Sequence, residues 1–119
     1  MTTERPTRPV RNRIAVAGLV VAGVAVLVRL GTSALSVVLP VLAQRSGAPI
    51  SSIGAAFAVI GGVLLVLHLT AAALGLAGVL LPNRPRGVAG AALGVGCAGA
   101  LTALADVVVP PLVGAALQF

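Results

Sequence analysis

The sequence predicts an all-α bundle of three membrane-spanning helices, and three observations predict it. Residues 53–81 form an unbroken run in which His68 and Thr70 are the only polar side chains and no charge occurs. A bilayer's hydrocarbon core is about 30 Å thick and takes roughly 20 apolar helical residues to cross, so this run spans with tilt or overhang. Composition agrees: 59% of the 119 residues are hydrophobic and 8% are charged, where a soluble domain carries about 25% charge to cover its outside. The third observation is the punctuation. Arg45, Gly47 and Pro49 in one separator, and Pro82 and Pro85 in the other, mark turns between three apolar blocks, because Pro and Gly stop helices where interfacial water can satisfy the freed backbone.

The chain begins with a polar stretch, residues 1–13, that holds Arg5, Arg8, Arg11 and Arg13 together with Glu4. It reads as a disordered basic tail on the cytoplasmic side, since cytoplasmic flanks carry the Arg/Lys excess. A basic stretch followed by an apolar one also matches the start of a secretory signal, but the apolar character resumes after Arg29 and two further blocks follow. Without a twin-Arg pair, a Tat signal is not indicated.

The first block spans residues 14–43 and is interrupted by Arg29. Splitting it there gives a four-span alternative, but the pieces 14–28 and 30–43 are each too short for a crossing. The second block spans 53–81. The third spans about 87–109, where the Pro110-Pro111 pair is expected to kink or end the helix; Pro40 threatens the same near the end of the first. With three spans and the N-terminus inside, the tail and the loop holding Arg84 and Arg86 share the cytoplasmic side, and Arg45 alone is outside. The arginines thus set topology and meet anionic lipid headgroups. The net charge of +6 comes from this placement, and the absence of a polar basic domain gives nucleic acid no surface.

Packing and polar residues carry what remains. In the third block Gly90, Gly94, Ala98, Thr102 and Asp106 recur every four residues, a ridge of small side chains that begins with GxxxG and suits close helix approach. Gly61, Leu65, His68, Ala72 and Gly75 offer a groove in the second block, and Gly18, Ala22, Ala25 and Arg29 one in the first. The helical rise of about 1.5 Å per residue puts Arg29 roughly 22 Å from Ile14 and Asp106 roughly 27 Å from Val88. Both therefore sit toward the outer leaflet. An unpaired charge at a helix centre is penalised by about 2.5–3.5 kcal/mol, so an Arg29–Asp106 ion pair is expected, with separate snorkelling of each to the headgroups as the alternative.

His68 falls near the middle of its span. A midplane imidazole can relay protons or bind a ligand, yet in this chain Cys97 is the only other metal-ligating side chain at that depth, and two ligands are too few. The simplest expectation is a neutral ring hydrogen-bonded to a neighbouring helix. No cofactor or metal is expected, and an enzyme is not indicated: the sequence has no nucleophile–base–acid arrangement, no paired carboxylates and no phosphate-binding glycine loop.

The stretch ALGLAGVLLPNRPRGVAGAALG, residues 73–94, resembles the helical hairpin of small actinobacterial multipass membrane proteins of unknown function. In these a Gly/Leu/Ala span, a short Arg/Pro/Gly turn and a second such span recur. The chain departs from many of them in having no Trp or Tyr to anchor it at the interfaces. The resemblance implies a plasma-membrane location and no particular activity. Two function classes follow from the residues: a structural or interaction protein that packs on partner helices or copies of itself, and a small transporter or pore subunit active only as an oligomer, with Arg29, His68 and Asp106 along its route. A resemblance to small drug exporters is one of size alone, since the first span has no carboxylate and the chain lacks a set of aromatic side chains for a hydrophobic cation. A phage holin fits poorly because the charged tail is N-terminal.

Overall fold

The computed structural model describes residues 12–47 and 49–117. Three helices follow one another: α1 is Arg13–Ser46, α2 is Ile50–Leu80 and α3 is Gly87–Ala116, each long and apolar enough to cross a membrane. No strand occurs among the described residues. Their 34, 31 and 30 residues correspond to about 51, 46 and 45 Å of helix, well beyond the roughly 30 Å of a hydrocarbon core.

The ends have local causes. Asn12 caps α1, its side-chain oxygen accepting from the Ala15 N–H at 3.2 Å; Asn is a favoured cap because it satisfies a donor the helix cannot. This corrects the expected tail boundary, since Asn12 and Arg13 belong to the folded bundle. Arg5, Arg8 and Arg11 lie outside the described residues. Gly47 ends α1 in the left-handed conformation, at φ 69°, and its N–H bonds the Ala43 carbonyl. Leu81 ends α2 with ψ at 123°, the extended geometry that a following proline imposes.

The helices also run past their expected ends. Pro40 lies inside α1, and Pro110 and Pro111 lie inside α3, which continues to Ala116 rather than closing near 109. A proline removes one ladder bond and crowds the carbonyl four residues back, but a helix held in place by its neighbours tolerates this.

The burial pattern is the reverse of a soluble bundle's. The buried residues are chiefly alanines and glycines, among them Ala15, Ala22 and Ala25 of α1, Ala71 of α2 and Ala89, Ala92 and Ala103 of α3. Large aliphatic side chains such as Val20, Leu27, Val59, Leu69 and Leu101 point outward. Small side chains inside allow backbones to approach, and aliphatic ones outside suit a lipid solvent.

The closest approach is between α2 and α3. A Cβ added at Gly96 would lie 2.5 Å from the Ala72 backbone nitrogen and 2.9 Å from the His68 carbonyl oxygen, and one at Gly75 would meet the backbone of Leu93. This places Ala89, Ala92, Gly96, Gly99 and Ala103 on the inner face of α3. The expected ridge is therefore corrected within the chain. Gly90, Gly94, Ala98 and Thr102 are exposed, and a Cβ at either glycine would meet nothing within 4 Å. Both rows have helical spacing; the one that packs is the row that can touch α2 backbone. The α1 row of Gly18, Ala22 and Ala25 is buried as expected.

Candidate functional site

The first polar cluster ties the loop end of the bundle together. Besides capping α1, Asn12 donates from Nδ2 to the Gly78 carbonyl of α2 at 3.0 Å, and Asn12 is buried. Arg13 and Arg84 line one shallow depression beside it, about 290 Å³ in volume. Arg86 precedes α3, and its carbonyl accepts from the Gly90 N–H. The start of α1 and the α2–α3 loop thus share one end of the molecule.

His68 forms the second feature. Among the described residues it is the largest side chain that is fully buried, at 1% exposure. Its Nδ1 donates to the Leu64 carbonyl one turn back in the same helix, at 2.8 Å, which corrects the expectation of a partner on a neighbouring helix. Because a carbonyl only accepts, Nδ1 carries the hydrogen in this contact. The ring lies against Gly99, where any Cβ would overlap it. Cys97 is exposed on the outside of the bundle, so the two sulfur and nitrogen ligands do not converge. Among the described residues, no group of three His, Cys, Asp or Glu side chains gathers.

Toward the other end, the structure joins the two charges that interrupt the apolar stretches of α1 and α3. Arg29 Nη2 donates to Asp106 Oδ2 at 2.9 Å, linking α1 to α3. The pair is partly open, with side-chain exposures of 34% and 60%. Contact is through one nitrogen and one oxygen; Arg29 Nη1 is buried and has no hydrogen-bond partner among the described residues.

The pair sits in a cleft of about 660 Å³ between the three helices. The α1 wall is polar: Arg29, Thr32, Ser33 and Ser36. Thr32 Oγ1 donates to the Val28 carbonyl, Ser33 Oγ to that of Arg29 and Ser36 Oγ to that of Ser33. These hydroxyl hydrogens are used, and their oxygen lone pairs are left as acceptors. The other walls are mainly apolar, with Phe57 and Leu64 of α2 and Val107, Pro110 and Pro111 of α3. His68 does not line the cleft, although Leu64, whose carbonyl it binds, does.

Sequence reasoning found Arg29 and Asp106 through the cost of isolated charge, and missed Asn12, Phe57 and the hydroxyl wall. A signal for the wall exists: Arg29, Thr32, Ser33 and Ser36 recur at three- and four-residue spacing, one polar stripe on an otherwise apolar helix. Asn12 was hidden by its place at the edge of a basic segment. The chain matches no family model, no curated protein and no solved structure.

Proposed function

We propose that this chain is a multi-pass protein of the plasma membrane, with its N-terminus inside, that serves as a structural or interaction subunit. The single observation carrying this reading is the outward placement of Gly90, Gly94 and Ala98 on α3. A strip with open space at both glycines admits the backbone of another helix, from a partner or a second copy, and van der Waals packing of that kind drives helix association in lipid. Membrane residence is supported by the three apolar helices and by the aliphatic exterior. Orientation is supported by the arginines gathered at the end that holds Arg13 and Arg84. The actinobacterial resemblance of residues 73–94 supports the plasma membrane. In this setting the arginine-rich end meets anionic headgroups.

A second reading, a transporter or pore subunit active as an oligomer, is favoured by the cleft with its ion pair. The His68 ring is bonded to Leu64 and closed against Gly99, so a through route requires other copies. Native mass spectrometry of nanodiscs separates the readings. Discrete multiples of the 11.6 kDa chain that persist in Gly90→Leu would favour the pore. A monomer that captures a defined membrane partner, and loses it in Gly90→Leu, would support the interaction role. A monomer whose captured proteins are the same in Gly90→Leu would remove the ridge from it.

A further inference from the structure

Three prolines interrupt hydrogen-bond ladders at one place in the bundle. A proline has no N–H for the carbonyl four residues back. Pro40, Pro110 and Pro111 therefore deprive the carbonyls of Ser36, Asp106 and Val107, and all three of these residues line the cleft. The hydroxyl lone pairs of Thr32 and Ser33 and the Asp106 oxygen that Arg29 leaves free add further acceptors. Against this set stands one orphaned donor among the described residues, Arg29 Nη1. The site as a whole is neutral, amphipathic and richer in acceptors than in donors.

Depth narrows the occupant. Arg29 lies beyond Arg13, and Asp106 beyond Arg86, by about 24 and 30 Å of helix respectively, close to the hydrocarbon thickness. With the arginine-rich end at one interface, the cleft falls at the level of the opposite headgroups. We propose that it holds the headgroup of a zwitterionic phospholipid bearing a primary ammonium. Phosphate oxygens take the spare valence of Arg29, the ammonium meets Asp106 and the freed carbonyls, and the hydrocarbon follows Phe57 and Val107 into the bilayer. A primary ammonium brings three N–H donors, whereas a quaternary one brings none. A purely anionic lipid would bring no cationic donor to the Asp106 carboxylate and leave the site with an uncompensated negative charge, and a simple cation would compete with Arg29 and leave Nη1 orphaned. The volume of about 660 Å³ lies within the roughly 300–1,000 Å³ of ligand sites.

The proposal rests on the membrane reading above, and its test separates the two. Purified full-length chain in detergent is titrated with dioleoyl phosphatidylethanolamine, phosphatidylcholine, phosphatidylglycerol or dioleoylglycerol, and bound lipid is counted by native mass spectrometry. The ethanolamine lipid is expected to be retained about tenfold over the others, as one added set of charge-assisted hydrogen bonds provides. Asp106→Asn should erase the preference over phosphatidylcholine, and Arg29→Gln should lower retention of every phospholipid toward that of dioleoylglycerol. Ala58→Phe fills the cleft without touching the ion pair and should abolish retention even if the charge variants fail to fold. Equal retention of all four lipids, unchanged binding in Ala58→Phe, or equal binding of tail-free phosphoethanolamine would overturn the proposal and leave membrane residence intact. A chain that stays monodisperse without detergent would overturn both.

Discussion

His68 and Gly99 act as one structural unit, a ring and the space it fills. Gly99→Ala puts a methyl group where the ring lies, and such overpacking costs about 1–3 kcal/mol; its melting temperature in detergent should fall. His68→Ala alone should also destabilise by about 2–4 kcal/mol, since it opens a cavity in a packed crossing. The double variant should lose less than the sum, because removing the ring removes the clash. Strict additivity in thermal unfolding would mean that the ring does not press on Gly99. The Arg29–Asp106 pair calls for a different expectation. Both side chains are more than a third open, so the coupling energy from an Arg29→Gln/Asp106→Asn cycle should be about 1 kcal/mol or less. The pair was legible in the sequence because isolated charge in hydrocarbon is costly. The role of Gly99 was not, because nothing in one helix's spacing says which residue of another will lie on it.

At the scale of elements, the two faces of α3 give opposite predictions for one substitution. Gly96→Ala drives a Cβ into the α2 backbone near Ala72, where no side chain can yield, and should destabilise by about 1–3 kcal/mol. Gly90→Ala meets open space and should be neutral or stabilise by up to about 1 kcal/mol through helix propensity. Equal effects of the two in a thermal scan would reverse the assignment of inner and outer faces. Asn12→Ala removes both a cap and a bond to α2 and should cost about 0.5–2 kcal/mol. Asn12→Asp keeps the capping oxygen but lacks the donor for Gly78, so it should recover part of that loss. Helix number and approximate limits were readable from apolar runs and turn residues. Continuation through Pro110-Pro111 was not, since it depends on neighbours that hold the interrupted ladder in place.

For the whole molecule, the proposed orientation is open to direct test. In a Cys97→Ser background, cysteine placed at Ser46 or at Asn83 reports opposite ends of the bundle. An impermeant maleimide added to intact cells should label position 46 and reach position 83 only after lysis; the reverse pattern would invert the topology. Size, the all-α class and the three spans follow from composition and run length, because a chain of 59% hydrophobic residues and few charges has only lipid as a fitting solvent, and lipid admits backbone only as closed hydrogen-bonded elements. The arithmetic of depth along two helices puts Arg29 and Asp106 at one level, and the tertiary structure decides that they pair rather than reach the headgroups separately. What the sequence by itself left open is which of several equivalent small-residue rows would pack. Gly90–Gly94 and Gly96–Gly99 both have helical spacing, and only the azimuth of α3 against α2 turns one inward and the other out. The cleft belongs to the tertiary structure for the same reason. Ser36, Phe57 and Pro110 lie far apart in the chain and converge only when three helices cross, bringing proline-freed carbonyls, hydroxyls and an ion pair to one side of the bundle.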